Sequence, residues 1–453
     1  MDARVGYLAS GAQALETQDA PIPMDLGFET IGNATVIAYD GGPKLATDPW
    51  LDGAAYFGSW CLSHEVPAEQ RAAIDEAEFI WISHGHPDHL CHATLDRMRS
   101  KRILLPDHYG GRIARELAEE GFRVQVLPDG EWTELSPRLR VCSIADYAQD
   151  AGLLIDLDGR LIADTNDASD RGAGDFLRRT AAAYEDSYLL ALTGHGDADL
   201  IHFLDEQGNR IAPPAEDREP LGPGIAGLLA HFGIKRFVPF SSMHRYQRED
   251  SVWANAYLTG LDEHARGFDF EPGVLLPPFA HVDFTTGEVR GLDPTPTPDR
   301  ALPTTDFGDD WSDQLEPEDV RALESYFRPI EHWRTFLGHL TLRVGGVEHR
   351  FEFCPEHRDR GLTLDVPRHS LMEAVRWRIF DDLLISNFVR CTLHGPWPAQ
   401  GTAAMYPDFN PFLTKYGDNG GARSADELRR YFRAYLERGF TSYAADPAAQ
   451  RYV

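Results

Sequence analysis

Four side chains that can bind metal ions stand within six residues of the chain. Directly after the apolar run 79–82 come His84, His86, Asp88 and His89. Two histidines at i and i+2 leave the end of a strand on the same side, and an Asp-His pair that turns back toward them brings the four ligands together. Clustered His and Asp residues are typical of metal and catalytic sites. The segment therefore predicts a centre for two metal ions, with a polar loop of unrelated histidines as the alternative.

A two-metal centre needs more ligands than one loop supplies, and we expect the others at the ends of later strands. Asp164 ends the apolar stretch 161–163, so a buried strand would deliver its carboxylate to the sheet edge as a bridging ligand, with Asp167 as the alternative. An Asp in such a place can also be a turn residue or a helix cap. His244 follows the apolar run 237–240 by a short polar loop and is the predicted last ligand.

One further histidine is expected beside the metal ions. His195 lies in a glycine-flanked loop after an apolar strand, and we predict that it lines the pocket as a catalytic residue. An ordinary structural histidine is the alternative for His195, as it is for His202, His231 and His281.

The composition disfavours several classes of partner. The formal charge is −29, from 72 acidic and 43 basic residues, which argues against nucleic acid and anionic membranes. Arg245 and Arg248, close to His244, are candidates for binding an anionic small substrate. Five scattered cysteines without a CxxC pair indicate reduced thiols. Because the chain has no run of about 18 apolar residues and no signal-like N-terminus, we expect a cytoplasmic protein without a membrane span.

A length of 453 residues predicts more than one domain. Strand-rich segments with intervening helices predict an α/β domain of two packed sheets flanked by helices over residues 1–290. Residues 291–317 contain five prolines among acidic and small residues, which is typical of a linker. Residues 318–453 predict a smaller α+β domain, with a β-hairpin at 340–353 and one long amphipathic helix at 369–390.

Several motifs together resemble a known superfamily. They are Ile31-Gly-Asn-Ala-Thr-Val36, Thr47-Asp-Pro-Trp-Leu51, Ser83-His-Gly-His-Pro-Asp-His89 and Ala163-Asp164. These motifs resemble the metallo-β-lactamase superfamily, in the branch that contains the lactonase-like and N-acylphosphatidylethanolamine phospholipase-like proteins. More narrowly, Asp48-Pro-Trp-Leu51 with Trp60-Cys-Leu-Ser-His-Glu65 is similar to the metal domain of the CMP-N-acetylneuraminate hydroxylase-like proteins. The resemblance covers about residues 25–285.

The resemblance implies an αββα sandwich with two metal ions at the sheet edge. The ligands that it implies are His84, His86, His89 and Asp88, with Asp164 as the bridge. The superfamily's third histidine has no counterpart, and alignment puts Asp146 near its position. A carboxylate there hardens the site and favours iron over zinc or manganese, as in the di-iron β-hydroxylases that resemble this fold. The alternative is that Asp146 is a turn residue and that one metal site is incomplete.

Two reactions compete for this predicted site. In the one we favour, two irons bind and reduce dioxygen, and the activated oxygen attacks a small polar metabolite. A Rieske module needs a Cys-x-His together with a Cys-x-x-His, and the sequence has no Cys-x-His, so the electrons would come from an external, ferredoxin-type donor. In the alternative, a lactonase or phosphodiesterase, a metal-activated hydroxide attacks and Asp88 accepts a proton. A non-catalytic binding protein is a third class, and a homo-oligomer is compatible with the sequence.

Overall fold

Short apolar stretches of the sequence form strands, and amphipathic stretches between them form helices. The computed structural model describes residues 24–168, 173–193, 200–438 and 447–452, so His195 lies outside the described residues. The strands, in chain order, are β1 (Leu26–Ile31), β2 (Thr35–Asp40), β3 (Pro43–Thr47), β4 (Trp60–Leu62), β5 (Phe79–Trp81), β6 (Arg102–Pro106), β7 (Arg123–Leu127), β8 (Trp132–Ser136), β9 (Leu139–Ala145), β10 (Ala151–Leu157), β11 (Arg160–Asn166), β12 (Ser187–Ala191), β13 (His202–Leu204), β14 (Arg236–Pro239), β15 (His244–Tyr246), β16 (Val274–Leu275), β17 (Ala280–Asp283), β18 (Val289–Gly291), β19 (His339–Val344), β20 (Val347–Glu352), β21 (Gly361–Asp365) and β22 (Arg390–His394). The α-helices are α1 (Ala68–Glu76), α2 (His92–Leu95), α3 (Arg112–Glu119), α4 (Gly174–Ala181), α5 (Gly222–Phe232), α6 (Pro317–Phe327), α7 (Arg368–Trp377), α8 (Phe380–Ile385), α9 (Thr402–Met405), α10 (Lys415–Asp418), α11 (Ala425–Leu436) and α12 (Pro447–Tyr452).

Two mixed β-sheets pack face to face. The first has the strand order β18-β17-β1-β2-β3-β5-β6-β7, and the second has the order β16-β14-β12-β11-β10-β9-β8. Phe28 and Trp81 of the first sheet share one buried cluster with Leu153 and Val238 of the second. The largest apolar side chains of both sheets therefore form the core between them, which removes their apolar surface from water.

Helices cover the outer faces of both sheets. Ile74 of α1 and Leu117 of α3 belong to the same buried cluster as Ile80, beside the first sheet. Leu177 of α4 and Leu229 of α5 belong to a cluster with strands of the second sheet. Strands that are buried on both faces read as continuous apolar runs, as these do. The succession of helix, sheet, sheet and helix confirms the predicted αββα sandwich.

The carboxyl ends of parallel strands position the metal motif. Strands β3, β5, β6 and β7 run parallel, and so do β11, β12 and β14. The motif follows β5 directly, and the register of β11 shifts between Asp164 and Asn166. Asn166 has a φ of +47°. Such a bulge re-aims the side chains at a strand end, and ligands bind at the carboxyl ends of strands in open sheets of this kind.

A third sheet lies in the C-terminal region, by which we mean residues 318–438 and 447–452. Its order is β13-β22-β21-β19-β20, so β13, from the middle of the chain, pairs with β22. The predicted hairpin is confirmed as β19 and β20, which turn at Gly345 and Gly346, both with positive φ. This mixed α and β structure confirms the expected class of the region, and the boundaries 1–290, 291–317 and 318–453 stay a prediction.

The prediction of one long helix over 369–390 is wrong. The segment forms α7 and α8, and Arg378 between them is left-handed, with a φ of +53°. The carboxylate of Asp418 accepts a hydrogen bond from Phe380 N at 3.1 Å, which provides a start for the second helix. Within the described ranges, no helix combines the length and the apolar character that a bilayer crossing requires.

Candidate metal centre

The histidines of the motif meet in a buried cluster at the end of β5. His84 Nε2 lies 3.0 Å from His86 Nδ1. Potential ligand atoms of His84, His86 and Asp167 all lie within 4.8 Å of one another. Burial and the neighbouring charge of His89 lower the pKa of His84 well below its usual range. A neutral imidazole with a free lone pair is the form that binds a metal ion.

Asp167 lies between the two halves of the motif. Its Oδ2 is 3.8 Å from His84 Nε2 and 3.4 Å from His89 Nε2. Its other oxygen accepts a hydrogen bond of 2.5 Å from Ser241 Oγ. Burial would raise the pKa of Asp167, but the charge of His89 and their hydrogen bond bring it down to about 2. The structure thus has an ionised carboxylate where a bridging ligand would be, and it is the residue that the sequence offered as the alternative to Asp164.

Asp164 is buried nearby on β11, with 1% of its surface exposed. Neither of its carboxylate oxygens has a hydrogen-bond partner of good geometry within the described parts of the chain. Burial and the charge of Asp48 raise its pKa well above the usual range. A buried carboxylate without partners is costly, by about 1–3 kcal/mol or more, unless a cation lies next to it. The donor set therefore fits bound metal ions, and the role of Asp164 as a ligand stays a prediction.

Asp88 and His89 form the second half of the centre. Asp88 Oδ2 is 3.3 Å from His89 Nε2. Asn33 Nδ2 and the hydroxyl of Tyr56 donate to the two oxygens of Asp88, both at 2.8 Å. Burial opposes the ionisation of Asp88, yet the charges of His89 and His86 hold its pKa well below the usual range. Asp88 is therefore a fixed, ionised carboxylate.

The aspartate of the Asp-Pro-Trp motif, Asp48, is hydrogen-bonded to the metal loop and to the end of β11. Its carboxylate accepts hydrogen bonds from the backbone and the hydroxyl of Ser83, each at 2.7 Å, and from Asn166 Nδ2 at 2.7 Å. It also lies 3.0 Å from His89 Nδ1. One buried carboxylate thus joins β3, the metal loop and the end of β11.

One carboxylate from the turn that joins β9 to β10, that of Asp150, lies close to His84. Asp150 Oδ1 is 3.7 Å from His84 Nε2, and Lys415 Nζ donates a short hydrogen bond to the same oxygen. Asp146 stands at the other end of the turn that joins β9 to β10. Its Oδ1 accepts from Asp150 N at 3.0 Å, and its own N–H donates to Asp150 O at 2.9 Å. Asp146 thus closes the turn through its Oδ1 and its backbone, and its role as a metal ligand stays a prediction.

His244 is buried at the start of β15, where it stacks on Trp60 with ring centroids 3.5 Å apart. The expectation that it is a metal ligand stays a prediction. The two arginines that follow it are engaged elsewhere, because Arg245 pairs with Asp299 and Arg248 is fully buried. Arg248 is therefore not available to an anionic substrate, and that role of Arg245 stays a prediction.

The C-terminal region also reaches the cluster. Asp381 Oδ2 is 3.2 Å from His86 Nε2, and Asp382 Oδ1 is 3.9 Å from the same atom. Burial and the charge of Asp381 raise the pKa of Asp382 well above the usual range. Sequence reasoning missed both residues, because 295 positions separate Asp381 from His86. The only sequence signal was an Asp-Asp pair at the start of an apolar run.

Comparison with known proteins adds to this geometry. No protein-family model matches the chain. A cytidine monophosphate-N-acetylneuraminic acid hydroxylase from Asterias rubens is 30% identical over 166 residues, which are 34% of this chain and 25% of that protein. The match therefore spans a quarter of the relative's length.

Two solved structures show partial likeness. CmlA, a diiron β-hydroxylase from Streptomyces venezuelae, aligns with 49% of this chain and 46% of its own, at 17% identity and a TM-score of 0.34. An isothiocyanate hydrolase from Delia radicum gut bacteria aligns with 59% of this chain and 99% of its own, at 16% identity and a TM-score of 0.37. Scores this low do not decide the activity. The partial sequence match to the hydroxylase and the αββα sandwich make the chain similar to proteins of the metallo-β-lactamase fold.

Proposed function

We propose that this chain is a dinuclear iron enzyme that uses dioxygen to oxidise a C–H or N–H bond of a small polar metabolite. The observation that carries the proposal is the position of Asp150, whose Oδ1 lies 3.7 Å from His84 Nε2. One ion could then take His84, His86 and a carboxylate as protein ligands. Two histidines and one carboxylate with open positions are the ligand set of non-haem iron oxygenases.

The second metal position is also rich in carboxylate. Asp88 and His89 lie 3.3 Å apart, and Asp167 lies 3.4 Å from His89 on the side of His84. Carboxylate oxygens are hard donors, which favour iron or manganese over zinc. The two positions would therefore be joined by Asp167, with Asp164 as the other candidate bridge.

When bound, a redox-active ion pair supplies the activation of dioxygen, whereas a redox-inert pair supplies the activation of water for hydrolysis. The residues of this centre favour the activation of dioxygen. The alternative hydrolytic role would use Asp88 as a general base, which requires a carboxylate oxygen that is open to a proton. Asp88 suits a ligand better, since Asn33 and Tyr56 fix both of its oxygens.

Aromatic side chains shield one side of the proposed centre from water. The rings of Tyr56 and Trp60 are 4.2 Å apart and both are buried, and the ring of Tyr56 lies 5.9 Å from that of His86. Burial and the charge of Asp88 raise the pKa of Tyr56 well above its usual range, so the phenol keeps its proton. The five cysteines are free thiols, and we propose an electron donor outside this chain, of the ferredoxin type.

Metal content and oxygen uptake test the proposal. The full chain is purified without added metal and analysed for iron and zinc, and oxygen consumption is followed after addition of a chemical reductant. We expect about two irons per chain, visible absorption and oxygen uptake. A colourless protein that holds zinc and consumes no oxygen would refute the oxygenase and leave the hydrolase.

Two variants sharpen this test. Asp150→His restores an imidazole at the third position, so we expect the metal bound on purification to shift from iron toward zinc. Asp158→Asn, in the exposed turn between β10 and β11, is the matched control and should keep the wild-type metal. An unchanged iron content in Asp150→His would remove Asp150 from the ligand set.

A further inference from the structure

Each histidine of the motif has one ring nitrogen held by a neighbour, which leaves the other nitrogen for the cluster. Ser83 Oγ lies 2.9 Å from His84 Nδ1, and Asp48 Oδ2 lies 3.0 Å from His89 Nδ1. Ser83 Oγ donates its own proton to Asp48, so it accepts from the imidazole of His84. Both partners belong to the sandwich itself, and by holding Nδ1 both direct Nε2 of the ring toward the cluster.

The third histidine is held by the C-terminal region. Asp381 Oδ2 lies 3.2 Å from His86 Nε2. A carboxylate oxygen at this distance accepts from the tautomer of His86 that carries its proton on Nε2, and in that tautomer Nδ1 keeps its lone pair. Nδ1 is the atom that lies 3.0 Å from His84 Nε2. The contact with Asp381 therefore presents the nitrogen that an ion shared with His84 would bind.

The break between α7 and α8 puts Asp381 in this place. Arg378 ends α7 in the left-handed conformation, and Asp418 accepts the N–H of Phe380 as α8 begins. Phe380 is fully buried in the core of the C-terminal region. Asp381 follows it, with 19% of its side chain exposed. The core of the C-terminal region thus holds the carboxylate against His86.

We infer that Asp381 is a positioning residue of the metal centre, whose carboxylate holds His86 in the tautomer and orientation that bind the ion shared with His84. The inference rests on the proposed function, because it requires a metal ion at His84 and His86. Carboxylates that hold a metal-binding imidazole typically contribute about 10–100-fold to metal affinity. The C-terminal region then contributes a side chain that supports the metal centre.

Metal affinity of the full chain tests this role. Wild type, Asp381→Ala and Asp381→Asn are stripped of metal and titrated anaerobically with Fe(II) and with Co(II), against a chelating indicator. The absorption of Co(II) also reports the ligand geometry. Asp359→Ala, at an exposed position of the same region, is the matched control. Urea unfolding of each metal-free variant shows whether it is folded before metal is added.

We expect Asp381→Ala to bind one of two ions about 10–100-fold more weakly, with a changed Co(II) spectrum. Asp381→Asn keeps an oxygen that accepts from Nε2, so its affinity should fall between those of Asp381→Ala and wild type. Its metal-free form should be at least as stable as wild type, because a charge beside Asp382 is removed. Equal affinities in wild type and Asp381→Ala, or an equal loss in Asp359→Ala, would overturn the inference. A wild type that binds no metal overturns the proposed function instead.

Discussion

Replacing Asp164 by Asn should stabilise the metal-free protein and reduce the stabilisation that bound metal provides. The carboxylate is buried, has no hydrogen-bond partner of good geometry among the described residues, and lies near the charge of Asp48. Asn is of the same size and carries no charge, so the repulsion from Asp48 disappears. In the metal-free protein we therefore expect the free energy of unfolding to rise by about 1–3 kcal/mol.

The stability that metal-free Asp164→Asn gains over the wild type should grow with pH. The pKa of Asp164 is raised in the folded protein, so the folded state keeps a proton that the unfolded state has lost above about pH 4. Stability linked to this group therefore falls as pH rises toward the folded pKa. Asn does not titrate, so its advantage is small at pH 4 and larger at pH 8.

With metal present, weaker metal binding should offset this gain. Ions that bind only the folded state add RT ln(1 + [M]/Kd), so a 100-fold loss of affinity costs about 2.7 kcal/mol in the saturating range. Urea unfolding followed by tryptophan fluorescence, in chelator and in excess Fe(II), measures both effects, with Asp158→Asn as the control. Two results would refute this reasoning. One is a free energy of unfolding in chelator that is lower for Asp164→Asn than for the wild type, and the other is an increase on adding Fe(II) that is as large in the variant as in the wild type.

Two further predictions concern buried charges away from the metal ions. Burial raises the pKa of Asp418 to about 6, so the free energy of unfolding should fall by up to about 3 kcal/mol between pH 4 and pH 6, and Asp418→Asn should flatten that part of the profile. An unchanged pH profile in the variant would contradict the assignment. Arg248 is fully buried and donates to Asp250 at 2.9 Å and to Asp309 at 2.8 Å, so Arg248→Met should cost about 3–5 kcal/mol in urea unfolding. Arg245→Met, which removes a more exposed pair, should cost less than about 1 kcal/mol, and similar losses in both variants would show that the buried network is not what matters.

The sandwich and the metal motif could be predicted because their signals are local. The apolar run 79–82 reads as a buried strand on its own, and the spacing of His84, His86 and His89 brings their rings together wherever that strand ends. The two-glycine turn of the C-terminal hairpin is equally local, because Gly345 and Gly346 supply the positive φ that it needs.

The remaining features depend on contacts between distant parts of the chain. Asp146 and Asp150 flank one turn, and only the packing of that turn decides which carboxylate lies near His84. The helical pattern of 369–390 is unbroken in sequence, and the carboxylate that accepts from the start of the second helix belongs to Asp418, which comes 40 residues after Arg378. That break also produces the contact between Asp381 and His86. Local propensity failed here because tertiary contacts override it.

Anomalous diffraction from crystals of the metal-loaded chain tests the central claim most directly. Data collected at the absorption edge of the bound metal should show two peaks about 3.5–4 Å apart. One peak should contact His84 and His86, and the other should contact Asp88 and His89, with Asp167 between them. A single peak, or peaks away from these side chains, would contradict a dinuclear centre at this edge of the sandwich.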